Sequence, residues 1–149
     1  LGLMGTPLNP KIEVMYEHTS LREFKFNFLF APESESESQQ VESICRRLRY
    51  HSSPTMSGIA SSQGLFMIGP SKIEIDYHTL VNGSWQPNKG SNPTIPRIYE
   101  GVIDAIQVNY APADGVYSTF MNGYPVATEL TMSFRETRII DKDLINQGY

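Results

Sequence analysis

The chain has 149 residues, enough for one domain with a core of its own, and 40% hydrophobic with 19% charged content describes a folded body. A formal net charge of -4, with both signs scattered along the chain, excludes the basic stripe with which proteins grip a phosphate backbone. One cysteine excludes an internal disulfide, and no apolar run approaches the roughly 18 to 20 residues of a membrane-spanning helix.

The opening, Leu1-Gly-Leu-Met-Gly-Thr-Pro7, lacks the charged region and long apolar stretch of a signal peptide and reads as the middle of something longer. Residues 1–149 are therefore expected to be a single domain from the C-terminal part of a larger protein. Lys11 to Glu17 alternates Ile12, Val14 and Tyr16 with Glu13 and Met15, which predicts a strand, and the short His18-Thr19-Ser20 link predicts that it pairs as a hairpin with the strand from Arg22 onward. In that second strand Phe24, Phe26, Phe28 and Phe30 fall on one face, with Lys25 and Asn27 on the other.

Ala31-Pro32 ends the ladder because proline has no N–H to donate, and Ser34-Glu-Ser-Glu37 has the spacing of a capping box. The spacing predicts a helix from Ser34 to Tyr50, with Val41, Ile44, Cys45 and Leu48 on one stripe. Acidic residues lie at its start and Arg46, Arg47 and Arg49 at its end, matching the helix dipole. Burial of that stripe is worth about 1.5 to 3 kcal/mol per side chain at most, and the adjacent phenylalanine face is its expected cover.

His51 to Gly64, rich in serine, reads as a long loop, and Ile73, Ile75 and Tyr77 predict a strand. Thr79 to Pro96 concentrates turn formers around the single tryptophan, Trp85, and reads as a second long loop. From Ile98 to Tyr110 the apolar phase shifts, which predicts a bulge near Asp104 and Ala105. Val116 to Phe120 has room for a short strand. Val126 to Ile140 predicts the last long one, with Leu130, Met132 and Phe134 inward. The order of elements places the chain as mainly β or α+β, a sandwich or barrel with one helix.

No catalytic, cofactor-binding or metal-binding residue is assigned. His18, His51 and His78 have no paired ligand spacing, and no G-x-S-x-G, phosphate-binding glycine loop or CxxC occurs. Asp76 and His78 share a strand face, the only hint of a hydrolytic dyad. Trp85 with Tyr77 and Tyr99 offers a sugar-stacking platform, so a carbohydrate-binding β-sandwich module is the alternative. Apolar residues in the two long loops, Met56, Ile59, Leu80, Val81, Trp85 and Ile95, are candidate contacts between subunits.

Taken in order, Asn9 to Tyr16, Leu21 to Phe28 leading through Pro32 into the Glu-rich helix, Gly69 to Ile75, Pro96 to Tyr110 running into Ala111-Pro112, and Leu130 to Asp141 resemble one family. It is the baseplate tail-tube proteins of contractile-tailed bacteriophages, and the resemblance covers nearly the whole chain. It implies a tail-tube fold, two packed antiparallel sheets with one flanking helix, assembled as hexameric rings. Neighbouring hub and tube proteins would be the partners, DNA would pass through without specific binding, and no membrane anchor or cofactor is implied. The location would be the virion tail, after assembly in the host cytoplasm. Members carry further N-terminal sequence. In such a ring the polar strand faces Glu23, Lys25 and Asn27, and Glu129, Thr131, Ser133 and Arg135, would line the channel, with Lys25 and Arg135 paired to Glu23 or Glu129.

Overall fold

The computed structural model describes residues 19–56, 67–112 and 115–149. The expected strand over Lys11 to Glu17 and the candidate contact Ile59 lie outside these residues.

Phenylalanine alternation and the two long apolar runs produce β1 (Glu23–Phe30), β6 (Gly101–Asn109) and β7 (Thr128–Glu136). They form an antiparallel sheet in the order β1-β7-β6. The C-terminal strand is thus central, and its inner positions are the most deeply buried: Phe134 is 0% and Leu130 1% exposed. Between Ile103 and Ala105 the register of β6 slips by one residue. That bulge explains the phase shift, since it keeps Ile103 on the core side and then returns Ile106 and Val108 to it.

Gly101 begins β6 under a tight constraint. A Cβ there would run into the Arg135 carbonyl and the Phe134 ring, while its own N–H and C=O bond Ile73 at 2.9 and 2.8 Å. Only glycine allows both neighbours so close.

The helix α1 spans Glu35–Ser52. Ser34 Oγ accepts from the Glu37 N–H at 3.2 Å, and the Glu37 carboxylate accepts from the Glu33 N–H at 2.7 Å, a capping box displaced by one residue on its return arm. The helix does not lie on the β1 phenylalanines as the sequence predicts. It lies over β6, where Val41 and Cys45 cluster with Leu130 of β7, and Ile106, Val108 and Phe30 pack against that cluster. Leu48 joins this cluster to a second one around Ile98, Ile103, Met132 and Phe134. Ile44, expected on the stripe, is 45% exposed. The stripe is narrower because Ser38, Val41 and Cys45 form the buried line, and Ser38 Oγ spends its donor on the Pro125 carbonyl at 2.6 Å.

Other boundaries differ from the sequence reading for local reasons. Residues 73–77 make one bridge, Ile73 to Gly101, and among the described residues have no other partner strand, although Ile73 and Ile75 pack on the core. The ladder starts at the next residue: β4 (His78–Val81) and β5 (Ser84–Pro87) form a hairpin inside the supposed loop. Asn82 and Gly83 have φ of 50° and 78°, the positive values a two-residue hairpin turn demands. Two further residues on each side, β2 (Thr55–Met56) and β3 (Met67–Ile68), make a short ladder. Val116 to Phe120 is no strand beyond one bridge from Thr119 to Pro125. The last strand stops at Glu136, and Asp141 then caps a short helix, α2 (Lys142–Asn146).

The described residues are therefore mainly β, with antiparallel sheets and little helix beyond α1. Only one face of the large sheet is covered by α1 and its core.

Candidate assembly surface

Because side chains alternate across a strand, the face of the large sheet opposite α1 carries a separate set of side chains, and among the described residues no element packs on it. That face carries every residue expected to line a channel. Glu23, Lys25 and Asn27 stand on β1, beside Glu129, Thr131, Ser133 and Arg135 on β7. Arg135 is the hub. It lies opposite Glu23, to which it donates at 2.6 and 3.0 Å, and it reaches Asp104 on β6 at 3.0 Å. The bulge makes this second contact available by turning Asp104 outward. One guanidinium thereby ties three strands, and its pKa is pushed above the usual value by the Glu23 hydrogen bond first and by the charge of Asp104 next.

Asn27 donates to Glu129 at 3.4 Å, and Lys25 lies opposite Ser133 with no described carboxylate within ion-pair distance. The expected pairing thus holds for Arg135 and fails for Lys25. Mixed signs cancel locally, so this face offers no cationic track to a polyanion.

Among the described residues no strand pairs with the outer edge of β1, nor with that of β6 after Gly101. Such edges are templates for another strand. Phe28 is 43% and Leu29 65% exposed on β1, so this strand is partly apolar as well as without a described partner on its outer edge.

The hairpin β4–β5 carries a second apolar group. Leu80 stands opposite Trp85, and Leu80, Val81 and Trp85 are all exposed, Trp85 to 69%. Met56 is also exposed, beside Met67 and Ile68 on the β2–β3 ladder. Ile95 is different: it is half-buried in a loop folded around Asn88, whose side-chain amide donates to the Ile95 carbonyl at 3.0 Å. Met67, Ile68, Tyr117 and Met121 are exposed apolar residues that periodicity did not single out. Exposure is a tertiary property, and their local patterns resemble ordinary core residues.

The enzymatic and sugar-binding constellations are not assembled. Asp76 lies outside the ladder that holds His78, and no hydrogen bond or ion pair joins them. His51 instead pairs its Nδ1 with Ser71 Oγ at 3.1 Å. Among the described residues no three His, Cys, Asp or Glu side chains gather as metal ligands, and no helix is long and apolar enough to cross a membrane. Tyr99 packs on Tyr149, with ring centroids 5.6 Å apart, and under Arg138, so it does not join Trp85 and Tyr77 in a platform.

Searches against family models, curated proteins and solved structures found no match.

Proposed function

We propose that the chain is a structural subunit that closes with copies of itself into a hexameric ring of a phage baseplate, starting or extending the tail tube. The observation that carries this reading is the large sheet: one face packed against α1, the other polar and charge-balanced, and, among the described residues, no partner strand at either outer edge. Adding a neighbour's strand at each edge satisfies the free backbone groups and removes the aggregation hazard.

In this reading the sheet is one layer of a two-sheet, tail-tube-like sandwich or barrel, its polar face turned to the channel. Six such faces line a path whose balanced charge lets DNA pass without a grip, in line with the chain's net charge of -4. Hub and tube proteins are the partners at the two ring faces, and the virion tail is the location. Order of sequence elements supports the family, while exposed Leu80, Val81 and Trp85 support contacts between subunits.

Native mass spectrometry of the purified chain, alone and with a tail-tube protein, tests this. Six times the 16.8 kDa chain mass is the expected species. A persistent monomer that binds glycans and loses them on Trp85→Ala would favour the carbohydrate-binding alternative instead.

A further inference from the structure

Asparagine followed by glycine is the pair in which the backbone most readily attacks the side chain, because glycine puts no Cβ in the way of its own nitrogen. The chain holds two such pairs, Asn82-Gly83 and Asn122-Gly123, and both are exposed. The fold treats them differently.

At the second pair both reacting groups are tied down. The Asn122 amide donates to a Glu35 carboxylate oxygen at 2.7 Å, and the Gly123 N–H donates to the Phe120 carbonyl at 3.0 Å. Asn82 and Gly83 instead form the two-residue turn between β4 and β5, with φ of 50° and 78°. Among the described residues no hydrogen bond holds the Asn82 amide or the Gly83 N–H. A Cβ added at Gly83 would meet nothing within 4 Å, as at Gly123, so hydrogen bonding and not space is what separates the two pairs.

We infer that Asn82 is a site of spontaneous deamidation and that the fold shields Asn122 from the same reaction. The Gly83 nitrogen gives its proton to solvent and attacks Cγ of Asn82. The new C–N bond closes a succinimide ring, the Cγ–Nδ2 bond breaks, and Nδ2 takes up a proton and leaves as ammonia. Water then opens the ring. Cleavage at Cγ leaves aspartate, whereas cleavage at the main-chain carbonyl leaves isoaspartate, whose backbone runs through Cβ and Cγ and is longer by an atom. The balance is a water consumed and an ammonia released, with nothing oxidised or reduced.

Residues 78–87 contain no Asp, Glu, Lys or Arg, so either product gives this hairpin its only carboxylate, next to exposed Leu80, Val81 and Trp85. Aspartate keeps the turn, since Asp-Gly suits the same pair of positive φ values. Isoaspartate does not, because the turn closes over two residues of ordinary backbone length. The apolar hairpin thus ages into an acidic one.

Site-resolved peptide mass spectrometry of the dilute full chain, held at mildly alkaline pH for increasing times, tests this. In the folded chain Asn82 converts to a mixture of aspartate and isoaspartate. Asn122 converts at least about tenfold more slowly, because two hydrogen bonds must break before it reacts. In urea, which removes those bonds, the two rates come together. Equal rates in the folded chain, or a gap that persists unchanged in urea, would overturn the inference, since neither leaves the fold any part in the difference. So would an Asn82 that stays intact in the folded chain while both sites convert in urea, which would make the turn a protected one. Aspartate at Asn82 without isoaspartate would rule out the succinimide and the route through it.

Discussion

Glu136 and Arg22 meet across 114 residues of chain as a partly buried ion pair. The glutamate side chain has no exposed surface, and both its oxygens are held by the guanidinium, one contact measuring 2.8 Å. Glu136 also accepts the Tyr99 N–H at 2.7 Å, and Arg22 donates to the Arg97 carbonyl at 3.2 Å. One pair therefore fastens the start of β1, the end of β7 and the segment leading into β6.

Removing one partner strands the other in a dry site. Arg22→Ala is expected to cost about 3 to 5 kcal/mol, because the Glu136 carboxylate keeps only the Tyr99 N–H. Arg22→Met with Glu136→Leu should recover most of that loss, since no charge is then left buried. Denaturant midpoints of the wild type, the single variant and the double variant measure both. A double variant no more stable than Arg22→Ala would mean that the hydrogen bonds to Tyr99 and Arg97 dominate.

The helix stripe yields a contrast between neighbours. Leu48 touches both core clusters and Ile44 is largely exposed, so Leu48→Ala should cost about 2 kcal/mol or more and Ile44→Ala less than about 0.5 kcal/mol. Equal losses in an equilibrium unfolding experiment would put Ile44 back on the buried face.

Legibility in the sequence follows the range of the forces involved. Ser34, Pro32, the alternation of β7 and the phase slip near Asp104 act within a few residues, and each marks its element correctly. What covers what is set at long range. The phenylalanines of β1 are adjacent to α1 in sequence, yet the helix lies over β6, reaching Leu130 of central β7, and leaves Phe28 half-open. Asn82-Gly83 was a readable hairpin signal, obscured by the prolines around it. Glu136 gives no sign of burial locally, because its partner is Arg22 at the far end of the chain. At the candidate surface, outward polarity is legible from alternation, while a cavity beside Tyr117 assembles from α1 and the distant connection from β6 to β7 and has no sequence signature.

Alkaline pH should act through Cys45. Burial raises its pKa above the ordinary thiol value, so the unfolded chain releases this proton at lower pH than the folded one. Between the two values the unfolded state binds fewer protons, and stability falls as pH rises through that window; below the unfolded value the contribution is fully present. Comparing wild type with Cys45→Ala isolates the effect from tyrosine and lysine titration. The stability difference between them should narrow as pH rises past the ordinary thiol range. A difference that stays constant with pH would mean the thiol titrates alike in both states.

The proposal of a ring with the polar sheet face inward is tested most directly by electron cryomicroscopy of the assembled protein viewed along its axis. End-on averages should show six subunits around an open channel, with the β1–β7–β6 sheet lining it and Arg135, Glu23 and Asp104 facing the lumen. An assembly without sixfold closure, or one in which this face points outward while α1 borders the channel, would contradict it.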